Sequence, residues 1–425
     1  MGPEMYGDYK NFLGFGQDRG DMLVFLSSMS LLNKTTYLII GGGIAGTTAA
    51  ETIRKYDSEG SITIVSDEPH RLYSRILLSK PGFFLGEIPR ERIFLRKENW
   101  YKQKDIHFLP GKKAVSLHPQ KQKITLDDGQ KILYQKLLLA TGGSPKKWVV
   151  PGADKKGIHF LQTLHQAEKI IGSLSKIKRA VVVGGGFVSF ELCDLLRKAG
   201  KEVVLITRRL QFWGSVFHEQ GSTLILQAIK KAGVQVILQT EVICVEGEDS
   251  VTSVVCANGQ SLSCDAIFVG IGMEYETGWL NEAGIKTGSG ICTDAFLQTS
   301  LPSVWAAGDI AKFDDVLMGE SVQYGNWVNA QRQGEYVGRM MTKQTTEPFR
   351  CVSSYTSSGF GLHLSFVGDI RREGREIISE NGIDGSYKQL FLKQNILVGS
   401  VLINRVKDIG EMVQAIEQRK NFNKK

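Results

Sequence analysis

The chain has 425 residues, 42% of them hydrophobic and 23% charged, an ordinary soluble composition with material for two or three domains and ample cores. Its net charge of +8 is modest for this length, and the basic residues come as scattered pairs (Lys112-Lys113, Lys146-Lys147, Lys155-Lys156, Arg371-Arg372) without interleaved aromatics, so nucleic-acid binding is not expected. Six cysteines keep no CxxC spacing and seven histidines no HExxH spacing, which argues against a metal site and against a redox dithiol.

In chain order, the apolar stretch from Met22 to Leu32 is too short and interrupted to span a bilayer, and Asp18, Arg19 and Asp21 make a poor signal-peptide start. Residues 1–35 therefore read as an extension, either a disordered tail or the product of too early a start codon with Met29 as the true one, and the cytoplasm is the expected location. A strand at 37–40 then runs into Gly41, Gly43 and Gly46 and a helix at 44–56, followed by a strand at 61–65. In such a turn the first glycine permits the tight bend, the second lets backbone approach a pyrophosphate and the third lets helix pack on strand. The helix N-terminus receives the negative charge.

A polar excursion carrying Tyr73, Arg75 and Lys80 leads to short strands near 113–117, 123–126 and 132–134, and the apolar run LLLATGGSP at 137–145 reads as a strand stopped by a glycine turn. About 140 residues after the first glycine turn the pattern repeats: strand 180–183, the turn Gly184, Gly186 and Ser189, helix 187–199 and strand 202–206. Later strands are predicted at 234–237, 242–245, 251–255 and 266–270. TSLPSVWAAGDIA at 299–311 reads as another strand halted at Gly308-Asp309, with a helix over 326–342 beyond it. After Pro348, two stretches at 355–368 and 389–403 alternate like antiparallel strands before a terminal helix at 406–419. The fold class is α/β, with two Rossmann-like dinucleotide-binding domains and a small C-terminal α+β domain.

Both glycine fingerprints, the ATGG turn at 140–143 and the AAGD turn at 306–309 stand in an order that resembles the two-dinucleotide flavoprotein reductases, the pyridine nucleotide-dependent FAD oxidoreductases. DEPHRLYSRILLSK at 67–80, SGFGLHLSFVGD at 358–369 and LVGSVLINR at 397–405 are similar to the ferredoxin and rubredoxin reductase branch. The resemblance implies an FAD domain split between 36–150 and 268–346, an NAD(P) domain at 151–267 and a third domain at 347–425. It implies that Gly41, Gly43, Ile44, Ala45 and Gly46 hold the FAD pyrophosphate, and that Asp67, or else Glu68, binds the adenosine ribose. Arg75, Val115, Ala140, Thr141 and Gly142 would complete the FAD site, with Asp309 on the ribityl chain and Trp327 beside the flavin. Gly184, Gly186, Phe187, Val188, Ser189, Thr207, Arg208, Arg209 and Gly272 would form the NAD(P) site. Lys80 and Glu191 would meet near the flavin and order the nicotinamide.

Three departures matter. Ser189 replaces the third glycine, so slightly looser packing with retained binding is expected. Thr207, Arg208 and Arg209 follow the second strand of the second unit, where an NADH site wants a carboxylate for the 2′-hydroxyl and a 2′-phosphate wants arginine, so NADPH is expected over NADH. No cysteine stands near 75–85, so electrons would leave the flavin directly rather than through a disulfide. The function implied is hydride transfer from NAD(P)H to FAD, then electron transfer to an acidic iron-sulfur or rubredoxin-type carrier. Alternatives are an NAD(P)H oxidase or quinone reductase, and a flavoprotein sensor whose assembly responds to nicotinamide. A homodimer is compatible with either. The hydride step would rely on geometry set by Lys80, Glu191 and Trp327, with no covalent catalyst.

Overall fold

The computed structural model describes residues 34–382 and 385–422. The expected extension lies outside the described residues except at its end, where Lys34 and Thr35 already belong to the first strand and Thr35 is buried beneath Ser61. That strand, β1 (Lys34–Ile40), is followed by helix α1 (Ile44–Tyr56) and strand β2 (Ile62–Ser66), whose five residues are all buried, as expected for a strand covered on both faces. With β3 (Ile106–Pro110), β4 (Ala114–His118), β5 (Lys123–Leu126) and β6 (Lys131–Leu139) they form a sheet ordered β3–β2–β1–β6–β5–β4. β3, β2, β1 and β6 run parallel, and β6, β5 and β4 form an antiparallel meander. The late strand Val304–Ala306 pairs in parallel with β6, so the chain leaves this sheet and returns to it about 165 residues later.

The intervening residues build a second parallel sheet. Its strands are β7 (Ile158–His159), β8 (Arg179–Val183), β9 (Glu202–Thr207), β10 (Gln235–Leu238) and β11 (Ala266–Val269), ordered β10–β9–β8–β11–β7, with helix α2 (Phe187–Lys198) crossing from β8 to β9. Helix α3 (Trp327–Met341) then packs along α1. The third unit is an antiparallel sheet of β12 (Ser354–Gly359), β13 (Leu362–Gly368), β14 (Glu376–Asn381), β15 (Tyr387–Lys393) and β16 (Ile396–Ile403), closed by α4 (Ile409–Glu417).

Several sequence expectations shift. The two strands expected around 132–139 are one strand, β6, because Gln135 and Lys136 continue the alternation between Tyr134 and the buried Leu137. The strand expected through 299–311 is only Val304–Ala306, ending where Gly308 takes a φ of 83°. β14, with no counterpart in the reading of the sequence, is an edge strand with a polar face. Among the described residues no helix is long and apolar enough to cross a membrane.

Candidate active site

The first glycine turn is shaped by close approach. Gly41, at φ 119°, donates its N–H to Val65 O at 2.8 Å, and a Cβ there would run into the Ala140 carbonyl. Gly46 is flush against Gly41 and Ile39. Gly43 differs: it precedes α1 with no side-chain cap, and a Cβ on it would meet nothing within 4 Å. The N–H groups at the start of α1, those of Ile44 and Ala45 among them, have no partner within the helix, and the space beside Gly43 is open, an arrangement that suits an anion.

Beside this turn lies a cavity of about 120 Å³ lined by Asp67, Lys113, Ala114, Thr141, Gly142 and Trp279 among others. Of the two acidic candidates, Asp67 lines the cavity, whereas Glu68 accepts from the Tyr73 hydroxyl at 2.6 Å and pairs with Arg75. Arg75 also donates to Gln162 O at 2.8 Å, and the Gln162 amide reaches Gly143 O, so Arg75 straps its turn to the glycine turn after β6. Val115 stands apart with 41% exposure, its neighbour Ala114 being the one on the cavity.

Asp309 follows Gly308, whose N–H is held by Gln333 Oε1 at 2.7 Å, and Gln323 fixes the Asp309 carbonyl at 2.7 Å. No described protein group hydrogen-bonds the Asp309 carboxyl. Protein encloses it closely enough to push its pKa up to about 6, against the pull of Arg75, yet it keeps accessible surface. A carboxyl removed from most of the surrounding water behaves so. Trp327, half-buried, opens α3 two residues after Gly325, which abuts Asp309, and Asn326 caps the helix through the Asn329 N–H at 2.9 Å.

The second turn repeats the geometry. Gly184, at φ 129°, lies against the Gly270 carbonyl, and Gly186 faces open space. Ser189 is fully buried in this joint, and its hydroxyl donates to Gly270 O at 3.4 Å. Phe187 and Val188 form the first turn of α2, Phe187 packed edge-on to Trp213 with ring centroids 4.4 Å apart and Val188 exposed. Gly272, at φ 108°, turns the chain back toward the first sheet. Thr207 is buried against Gly185, and Arg208 and Arg209 are exposed, with no partner for their guanidinium groups among the described residues.

Lys80 and Glu191, 111 residues apart, meet at 2.5 Å between the two turns. Sequence reasoning missed two further donors on the same carboxylate, the Ser79 hydroxyl and the Ser357 hydroxyl, the latter at 2.7 Å from Glu191 Oε1. Ser79 was signalled only by adjacency to Lys80. Ser357 carried no local signal, because β12 brings it from 166 residues away.

Residues 35–334 match the family described as pyridine nucleotide-disulphide oxidoreductase, and residues 358–420 match the rubredoxin NAD+ reductase C-terminal domain. The chain belongs to the pyridine nucleotide-disulphide oxidoreductases. It is therefore an oxidoreductase of an FAD-dependent family, and the open helix start at Gly43 and the unsatisfied carboxyl of Asp309 fit that cofactor. This oxidoreductase is 32% identical over 393 residues to the epsilon subunit of an NADH-dependent phenylglyoxylate dehydrogenase from Aromatoleum evansii, covering 91% of the chain and 93% of the relative. It is 26% identical to a rubredoxin-NAD(+) reductase of Pseudomonas putida, covering 89% and 98%. Among solved structures, the reductase of a covalent putidaredoxin reductase-putidaredoxin complex superposes with a TM-score of 0.85 at 26% identity, covering 91% and 93%. A ferredoxin reductase from Rhodopseudomonas palustris gives 0.86 at 28% identity, covering 92% and 96%.

Proposed function

We propose that this oxidoreductase takes a hydride from NAD(P)H at the second glycine turn and delivers electrons to an iron-sulfur or rubredoxin-type carrier protein. FAD supplies the chemistry, accepting two electrons from the nicotinamide and passing them on singly. Residues 36–150 and 268–346 hold it, residues 151–267 hold the nicotinamide coenzyme, and 347–425 form the third domain. Gly41 to Gly46 receive the pyrophosphate, Asp67 the adenosine ribose and Asp309 a hydroxyl of the ribityl chain, while Gly184 to Ser189 receive the coenzyme. The observation that carries the reading is the Lys80–Glu191 pair, which ties the segment after the first turn to the helix of the second. Such a bridge fixes the distance between two dinucleotides, and distance is what hydride transfer depends on.

Arg208 and Arg209 support NADPH as the preferred coenzyme, since two unpaired guanidinium groups suit a 2′-phosphate and no carboxylate stands at Thr207 to repel it. Stopped-flow reduction of the yellow protein by each coenzyme, followed by mixing with ferredoxin, rubredoxin, quinone or oxygen, tests the whole scheme. Faster reduction by NADPH and rapid reoxidation only by an iron-sulfur carrier are expected. Replacing both arginines by Ala should weaken NADPH about tenfold and leave NADH unchanged. A colourless protein that binds no FAD, or preference for NADH in the parent protein, defeats the corresponding part.

A further inference from the structure

Tyr275 lies on the segment that returns from the second sheet to the first, and that segment is pinned on both sides. Met273 and Glu274 pair antiparallel with Pro145 and Ser144, Lys146 N–H donates to Gly272 O at 3.0 Å, and Glu276 takes a 2.8 Å ion pair from Lys113. The direction of the intervening side chain is thereby set. Its ring lies on the glycine turn after β6 so closely that a Cβ on Gly143 would stand 2.7 Å from it. Its hydroxyl reaches the far side of the cleft: a Cβ on Gly325 would be 3.9 Å from that oxygen and 3.8 Å from an Asp309 carboxylate oxygen. The phenol and the carboxyl of Asp309 therefore share one small space between Gly143 and Gly325. Neither has a hydrogen-bond partner among the described residues.

The phenol is half-buried, and its hydrogen-bonding capacity is left for solvent or a ligand to take up. Burial, with Asp309 adding to it, pushes the hydroxyl up to about 12, so it is a neutral donor throughout the working range. The first glycine turn, Asp67 and Gly143 line one cavity, the Tyr275 ring lies against Gly143, and nothing in the sequence marked Tyr275 as part of this region.

We propose that Tyr275 is a ligand of FAD, its hydroxyl donating to an oxygen of the cofactor's ribityl or phosphate portion. The assignment rests on the FAD reading above. It adds an anchor from the far end of the coenzyme-binding unit, so that the returning segment closes over the cofactor.

FAD affinity of the apoprotein, titrated by quenching of flavin fluorescence, tests it in wild type and Tyr275→Phe. The Phe variant keeps the ring against Gly143, so the FAD-free protein should melt at the wild-type temperature. Its dissociation constant for FAD should rise about fivefold, the size of one neutral hydrogen bond. The same titration with FMN, and with ADP-ribose as competitor, should put the loss on the ribityl and phosphate portion. An unchanged dissociation constant in Tyr275→Phe overturns the assignment and leaves the FAD reading standing. Wild-type apoprotein that takes up no FAD overturns both.

Discussion

At Asp309 a carboxyl group is walled in without a protein donor, and its pKa of about 6 stands above the ordinary value of 3.8. The FAD-free fold therefore favours the protonated form. The stability this contributes is complete below about pH 4 and is lost as the pH rises through about 6, beyond which the charged carboxylate is a net cost. Asp309→Asn, which cannot ionise, should thus raise the urea midpoint of the apoprotein above pH 6 and lose that advantage toward pH 4, while weakening FAD uptake. A variant no more stable than wild type at pH 8 would mean that solvent already relieves the carboxylate. The Glu191 carboxylate, by contrast, receives three donors, from Ser79, Lys80 and Ser357. Lys80→Ala should slow flavin reduction by about a hundredfold while changing FAD affinity far less, because misplacement by an ångström is costly in hydride transfer. Ser357→Ala, removing one charge-assisted bond, should slow it roughly tenfold, with Ser357→Thr restoring most of the rate. The glycines, Asp67 and Asp309 were legible as candidates because each sits in a local pattern of turn, strand end or motif, and Lys80 and Glu191 because the family resemblance implied them. Ser357 and Tyr275 were not, because their neighbours exist only after folding.

Between elements, α1 and α3 meet at nearly backbone distance, and glycine makes it possible. A Cβ on Gly334 would strike the Ala45 carbonyl, and one on Gly338 would stand 2.7 Å from Thr52 Cβ. Both are small residues on one face of α3, and Gly334 lies over the very turn of α1 that opens at Gly43. Gly334→Ala must push the two helices apart, and overpacking of this kind costs about 1–3 kcal/mol. Its effect should appear as a lower melting temperature together with poorer FAD retention, whereas an exposed control such as Gln331→Ala should alter neither. Element boundaries were read most accurately where the period was clean: α1 was predicted at 44–56 and is observed there. They failed where burial, not local preference, decides pairing. β14 alternates too weakly to announce itself, and its strand identity comes from pairing with β15.

Across the whole molecule, the third unit is more than an appendage, because it is bolted to the helix that opens at the second glycine turn. Phe366 of β13 stacks on Tyr355 with centroids 4.9 Å apart and meets Phe187, Trp213 and Phe217 at 4.7, 5.7 and 5.9 Å. The β12–β13 hairpin then presses Gly359 against Phe190, and the Phe360 N–H donates to Asp194 at 2.9 Å. Phe187, Phe190, Glu191 and Asp194 thus form one stripe of α2 facing this sheet, with Glu191 bonded to Ser357. A polar joint lies elsewhere, where Glu320 gathers Arg371, Arg375 and Lys393 around Asp369. No periodicity could reveal either joint, since each brings together segments far apart in the chain, Glu320 and Arg371 for example being 51 residues apart. The aromatic joint should govern chemistry and the polar one only cohesion. Phe366→Leu removes ring contacts at a fully buried position and should destabilise the protein by about 1–3 kcal/mol. It should also slow flavin reduction at saturating coenzyme, because α2 and Glu191 lose their support, while FAD stays bound. Glu320→Gln should lower stability and leave that rate intact, so equal rates in the two variants would show that the third unit does not position Glu191.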